Sequence, residues 1–77
     1  MSTSAALLAE LVADATARDE LEAFLRDTRV CARLELDHFE LTLDPSRGEV
    51  LIEDTRTPGR RAHVTLTELA AAFARRA

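Results

Sequence analysis

The spacing of apolar residues changes once along this 77-residue chain, near Val30. Before that point, apolar side chains recur every three or four residues, which is the period of one face of an α-helix. After it they alternate with polar side chains, which is the period of a strand with one buried face. The sequence therefore predicts a single α+β domain over residues 1–77, with a long N-terminal helix, an antiparallel meander and a short C-terminal helix.

The N-terminal segment is predicted to be helical from Ser4 to about Asp27. Ser2-Thr3-Ser4 offers capping side chains at its start, and neither Gly nor Pro interrupts it. A second helix could instead begin at Thr16, with the Thr side chain as its cap and an acid three residues later. We favour one continuous or kinked helix over two helices broken near Thr16.

One helix of this length would extend beyond the sheet that it covers. It would measure ~36 Å at ~1.5 Å per residue, whereas a strand of six residues spans only ~20 Å. Its first half would then expose an apolar stripe, which monomeric proteins rarely leave uncovered. The sequence therefore predicts a homodimer, or failing that a different protein partner, covering a stripe that consists of Leu7, Leu8, Leu11 and Val12.

The strand region is predicted to contain three or four short strands. The apolar phase moves by one residue between Leu36 and Phe39. Such a shift requires either a tight turn at Asp37-His38, which would pair Leu34 with Leu41, or a bulge within one long strand. The sequence favours neither alternative.

A hairpin follows the phase shift. Asp44-Pro45-Ser46-Arg47-Gly48 has the composition of a turn, because Asp opens it, Pro fixes the first central φ and Gly permits a positive φ. The flanking strands then pair Leu43 with Val50 and Leu41 with Ile52, so that one apolar face results.

The C-terminal third is predicted to contain a second turn, a last strand and a helix. Thr57-Pro58-Gly59-Arg60 fits a type II turn, and residues 62–66 form the strand that follows. Thr65-Leu66-Thr67-Glu68 is a capping-box pattern at a helix start. The inner face of that helix is predicted to carry Leu69, Ala70 and Phe73.

Charge is unevenly distributed along the chain. Residues 1–54 contain 13 Asp or Glu and 5 Arg, whereas residues 55–77 contain 5 Arg and one acid, Glu68. The basic part includes the turn at residues 55–61, which we expect to protrude. Its side chains are the candidate contact surface for a protein partner with acidic groups, and they are Arg56, Arg60 and Arg61. The net charge of −4 and the lack of Trp and Tyr argue against direct nucleic-acid binding.

No catalytic, metal or cofactor motif can be identified. Cys31, His38 and His63 lack the paired spacing of metal ligands and have no nucleophile–base arrangement around them. The single cysteine also cannot form an internal disulfide. The sequence therefore predicts a protein that is not an enzyme and binds neither a metal nor a cofactor.

The function class follows from these exclusions. The chain has no apolar run of membrane-spanning length and no secretory signal, so we expect a cytoplasmic protein without a membrane partner. A non-enzymatic interaction module, acting as a small bacterial regulatory or adaptor protein, is the first hypothesis. The alternative is an immunity or antitoxin-like inhibitor that neutralises a toxin through an acidic surface of Glu35, Asp37, Glu40, Asp44 and Glu53.

Part of the chain resembles a known family. The order Val50-Leu51-Ile52-Glu53-Asp54-Thr55-Arg56-Thr57-Pro58-Gly59, then Val64-Thr65-Leu66-Thr67-Glu68-Leu69-Ala70-Ala71, is similar to the small BldB-like proteins of actinomycetes. The resemblance covers residues 49–73. Leu69 stands where that family usually has Trp, and the Trp-Arg-Lys-Ser-Ser opening of the family is missing. The resemblance implies a non-enzymatic regulator that acts through a protein partner, often a helix-turn-helix transcription factor.

Overall fold

Helices and strands follow one another in the predicted general order. The computed structural model describes residues 2–76, apart from the side chains of Ala15 and Arg76. This part of the chain contains no helix that is long and apolar enough to cross a membrane. The α+β class is confirmed, and the elements are α1 (Thr3–Ala13), a 3₁₀ turn (Ala15–Ala17), α2 (Arg18–Arg26), β1 (Ala32–Glu35), β2 (Phe39–Asp44), β3 (Glu49–Asp54), β4 (Arg61–Thr65) and α3 (Leu66–Arg76).

The N-terminal segment forms two helices, so the prediction of one continuous helix is wrong and the alternative of a break near Thr16 is correct. Asp14 leaves the helical conformation, with ψ at 101°. Its Oδ1 atom accepts hydrogen bonds from the backbone N–H of Thr16 at 3.0 Å and from Thr16 Oγ1 at 2.7 Å. An Asp side chain bonded to the backbone two residues ahead stabilises a turn in place of a further helical turn.

The break lets both helices pack on the same face of the sheet. α1 contacts β4 and α3, whereas α2 contacts β1. Leu7 and Leu11 have 0% of their surface exposed, and Leu8 and Val12 are half-buried against the same core. The predicted overhang of an exposed apolar stripe is therefore wrong, because these four side chains are buried in or packed against the protein's own core. The molecule is 29 Å along its longest axis, shorter than the ~36 Å that one continuous helix would measure.

The four strands form an antiparallel meander in the order β1-β2-β3-β4. The Leu36 N–H donates a 2.8 Å hydrogen bond to the Phe39 carbonyl, so Asp37-His38 is a two-residue turn and not a bulge. Leu34 lies opposite Leu41 in the resulting register. The phase shift in the sequence therefore results from a tight turn.

The β2–β3 hairpin has the predicted register. Leu43 lies opposite Val50 and Leu41 opposite Ile52. Gly48 ends the connecting turn with a φ of +64°, a conformation that L side chains rarely adopt. Turn chemistry and apolar phase therefore agree in this part of the chain.

The core lies between the inner face of the sheet and the helices. In α3, Leu69 is buried as predicted, but Ala70 is exposed and Ala72 is buried instead. The capping box is confirmed, because Thr65 Oγ1 accepts from the Glu68 N–H at 3.0 Å and Glu68 Oε1 accepts from the Thr65 N–H at 2.9 Å. The buried cluster comprises Leu7, Leu11, Leu21, Phe39, Leu41, Leu43, Val50, Ile52, Val64 and Leu69.

Candidate functional site

The connection between β3 and β4 is an exposed turn with a glycine at its sharpest point. The Arg60 N–H donates to the Thr57 carbonyl at 3.1 Å, and Gly59 has a φ of +85°. This agrees with the predicted type II turn, whose third residue requires a positive φ. The turn fixes where the arginines on either side of it emerge.

Gly59→Ala should therefore destabilise the protein without any steric clash. A Cβ at this position would meet no atom within 4 Å, so the cost is conformational only. We expect the free energy of unfolding to fall by about 1–2 kcal/mol, measured by urea denaturation. Gly59→Asn is the matched control and should lose less, because Asn tolerates the left-handed region better than Ala. Wild-type stability in Gly59→Ala would contradict the positive φ.

A buried carboxylate organises the two ends of this turn. Asp54 is only 5% exposed. Its Oδ1 accepts hydrogen bonds from the Arg56 backbone N–H at 2.9 Å and from Arg56 Nε at 3.2 Å, and its Oδ2 accepts from Arg60 Nη1 at 2.8 Å. Charged donors on both oxygens offset the cost of removing the carboxylate from water.

Glu10 connects this carboxylate and its arginines to helix α1. Its carboxylate accepts hydrogen bonds from Arg60 Nη1 at 3.1 Å and from Arg60 Nη2. It also lies 3.6 Å from Arg56 Nη2. The Arg56 guanidinium also lies over the Phe39 ring, 5.7 Å from its centroid. We call Glu10, Asp54, Arg56 and Arg60 the Asp54 cluster. It joins α1 to the β3–β4 turn across 50 positions of sequence.

The hydrogen bonds of the Asp54 cluster favour its charged forms. The backbone N–H of Arg56, followed by the Arg60 guanidinium, lowers the pKa of the Asp54 carboxyl to about 2. The hydrogen bond from Arg60 lowers the pKa of Glu10, and the same bond raises the pKa of Arg60. Asp54, Glu10 and Arg60 are therefore held in their charged forms at neutral pH.

The three arginines predicted to bind a partner thus have different surroundings. Arg56 and Arg60 are held by Asp54 and Glu10 within the chain. Arg61 is exposed at the start of β4 and is in no ion pair within residues 2–76. The charge separation along the sequence does not become a separation in space, because the basic turn packs beside acids of the first 54 residues.

The Asp54 cluster could have been found in the sequence from the position of Asp54 in its strand. The distribution of charge along the chain does not indicate the cluster. Asp54 shares the phase of Val50 and Ile52, the inward-facing positions of β3. A carboxylate on a core-facing phase requires charged or hydrogen-bonding partners. The arginines nearest in sequence, Arg56 and Arg60, are those partners.

The second candidate region is the outer face of the sheet, which the helices leave uncovered. Its most charged row crosses β1, β2 and β3. Glu35 lies directly opposite Glu40, and Glu40 lies directly opposite Glu53, with Arg61 at the end of the row opposite Glu53. Like charges opposite each other on neighbouring strands destabilise a sheet.

The neighbouring row compensates for this repulsion only in part. Arg33 Nη2 lies 2.6 Å from Glu40 Oε1 and 3.8 Å from Glu35 Oε1. Glu53 takes part in no ion pair within the described residues 2–76. Leu51, in the row of Arg33, is half-buried and gives the face an apolar centre. The outer face therefore combines an excess of carboxylates with a small apolar patch.

A shallow cleft of about 460 Å³ lies beside the Asp54 cluster, where α1 meets the β1–β2 turn. Its lining includes Asp37, His38 and Phe39. Among residues 2–76, no group of three or more His, Cys, Asp or Glu side chains could hold a metal ion. Cys31 beside β1 and His63 on β4 lie at opposite edges of the sheet, so they form no joint site with each other.

No protein-family model matches the chain, and neither a curated protein nor a solved structure is significantly similar to it. The resemblance of residues 49–73 to the BldB-like proteins stays a prediction. Charge, burial and register are the properties on which a functional proposal can rest.

Proposed function

We propose that this protein is a non-enzymatic interaction module that binds a basic surface of a partner protein through the outer face of its sheet. One observation carries the proposal. The row of Glu35, Glu40 and Glu53 places carboxylates directly opposite one another on three neighbouring strands. A cationic partner surface would offset a repulsion that the isolated chain leaves in place.

The composition of the outer face supports such a contact. The half-buried Leu51 lies beside the carboxylates and provides apolar area at the centre of the face. Interfaces typically combine an apolar centre with charged groups that orient the partner and accelerate association. The four-stranded face is already formed in the free chain, so its strands need not fold on binding.

The proposal favours an immunity-type inhibitor over a regulator that uses its arginine turn. An inhibitor of this class would cover the basic active site of a toxin with the acidic side chains of the sheet. The turn is less suited to an acidic partner, because Arg56 and Arg60 already have carboxylate partners within the chain. Arg61 alone would remain for such a contact. We propose a cytoplasmic location for this activity.

Glu40→Gln/Glu53→Gln should separate binding from stability. The double variant removes two opposed carboxylates and the partly exposed ion pair of Glu40 with Arg33, so we expect its free energy of unfolding to stay within about 1 kcal/mol of wild type. Affinity for the partner should fall at least tenfold, because two of the three carboxylates in the row are lost from the interface. Urea denaturation and titration calorimetry measure the two effects.

The partner can be obtained by cross-linking the immobilised wild-type chain in a lysate of the producing organism. Glu20→Gln/Glu22→Gln on α2 is the matched control, since it changes the net charge equally on a different surface. The proposal expects a basic protein that wild type and control capture and that Glu40→Gln/Glu53→Gln does not. Equal capture by all three proteins, or capture of an acidic protein, would contradict it.

A further inference from the structure

Strand β1 has a free edge on the side away from β2. The hydrogen bond from the Leu36 N–H to the Phe39 carbonyl fixes the alternation of the β1–β2 ladder. Leu34 and Ala32 then direct their backbone groups toward β2, whereas Arg33 and Glu35 direct theirs away from it. An edge of this kind is a template for pairing with another strand.

Charged side chains often protect such an edge, but here they have opposite signs. In an antiparallel pair of two identical strands, the outward-facing residues must oppose each other. A two-fold axis at Leu34 places Arg33 of one copy opposite Glu35 of the second copy, twice. An axis at Arg33 or at Glu35 would instead oppose identical charges, which is unfavourable. The charges of β1 therefore select a single register for its pairing with β1 of a second copy.

The other edge of the sheet does not have this property. Strand β4 carries Arg61 and His63 at the positions that correspond to Arg33 and Glu35 in β1. These two side chains offer no pair of opposite charges to a second copy. Helices α1 and α3 also contact β4, whereas β1 has a smaller contact with α2.

Apolar groups at the β1 edge would be buried by the same pairing. Ala32, Leu34 and Leu36 are half-buried on the inner side of the strand. With the two-fold axis at Leu34, Leu34 opposes Leu34 of the second copy, and Ala32 opposes its Leu36.

We propose that two copies of this chain pair through their β1 edges and form one continuous eight-stranded antiparallel sheet. Arg33 and Glu35 make reciprocal ion pairs across the two-fold axis, and the hydrogen-bonding groups of the edge are satisfied. The proposal shares Glu35 with the outer face, but its test does not require the partner that binds there. It replaces the N-terminal stripe by β1 as the surface for self-association.

Charge exchange tests this register directly. Arg33→Glu places carboxylates opposite each other at both pairs, and Glu35→Arg places guanidinium groups there. We expect the wild type to have twice the chain mass of 8.5 kDa by sedimentation equilibrium, and each variant alone to dissociate at least tenfold more easily. An equimolar mixture should form a heterodimer, because opposite charges then face each other at both pairs. Arg33→Glu/Glu35→Arg should also recover self-association.

Controls separate this result from unfolding and from general charge effects. The Arg33 and Glu35 side chains are 61% and 75% exposed, so both variants should fold, although Arg33→Glu loses the ion pair with Glu40. Circular dichroism verifies the fold of each variant. Arg18→Glu, at the start of α2, changes the net charge as Arg33→Glu does and should leave the mass unchanged. The proposal is overturned by a monomeric wild type, by a dimer that persists in both variants, or by a mixture that stays monomeric.

Discussion

Leu11→Ala is expected to lower the free energy of unfolding by about 2–5 kcal/mol, with the same loss at every protein concentration. The reason is that Leu11 lies in the core of the single chain, with 0% of its surface exposed. Truncation removes apolar contacts and leaves a cavity that the sheet and helices fill only in part. Since small domains have only about 5–15 kcal/mol of stability, this is a large fraction of the total.

Val30→Ala is the matched control, because it also truncates an aliphatic side chain but at a position that is 60% exposed. Its effect should stay within about 0.5 kcal/mol. Urea denaturation at two protein concentrations distinguishes a core position of Leu11 from a position in an interface between chains. A Leu11→Ala protein that unfolds like wild type at low concentration and differs only at high concentration would place Leu11 in an interface between chains and contradict the core position.

The strand half of the fold could be predicted because its determinants are local. The phase shift between Leu36 and Phe39 and the glycines at positions 48 and 59 each report on a few neighbouring residues. A turn and a period of two together set the register of the next strand. Only the choice between turn and bulge at Asp37-His38 needed the structure, because Asp-His is not a strong turn sequence.

The helical half could be predicted only in part, because periodicity identifies a face but not what covers it. Leu7 and Leu11 share one helical face whether the helix continues or breaks. The break depends on the carboxylate of Asp14, which bonds to Thr16, and on the burial of Leu21 that folding back permits. The burial of Leu21 is a tertiary contact, and no local sequence pattern predicts it.

The candidate site was predictable to a similar degree. The distribution of charge along the sequence indicates the arginines at positions 56, 60 and 61 and the acids that precede them. It could not give the distances between them, since Glu10 and Arg60 are 50 residues apart. The acids Glu35, Glu40 and Glu53 belong to the five-residue acidic surface that the sequence indicates, but their alignment into one row is a consequence of the register.

Asp54→Asn is expected to lower the melting temperature at pH 7 by roughly 10 °C. The substitution keeps the shape of the side chain and leaves Arg56 and Arg60 without the charge between them. Glu10 is then the one carboxylate of the cluster left to pair with both guanidinium groups. The β3–β4 turn should loosen, which hydrogen exchange at residues 54–60 would detect.

The pH dependence identifies Asp54 more specifically than the loss at pH 7 does. Its pKa is lowered to about 2 in the folded protein, against about 3.9 for an unfolded Asp. Its ionised form therefore contributes stability above about pH 4, and this contribution is lost as the pH falls through about 2. The difference in stability between wild type and Asp54→Asn should accordingly be largest near neutral pH and shrink between pH 4 and 2. The acids with lowered pKa outside the cluster, which are Asp14, Asp27, Asp44 and Glu68, titrate equally in both proteins and cancel in the difference. Glu10 shares Arg60 with Asp54 and contributes to the difference as part of the cluster.

Asp19→Asn provides the comparison for this titration, because Asp19 is exposed and is in no ion pair within the described chain. Its difference from wild type should be small at every pH. Urea midpoints at constant ionic strength from pH 7 to pH 2 measure both curves. A difference for Asp54→Asn that stays constant over this range would mean that the carboxylate is not ionised and paired in the folded state. The large loss at pH 7 would then come from the shape of the turn and not from its charges.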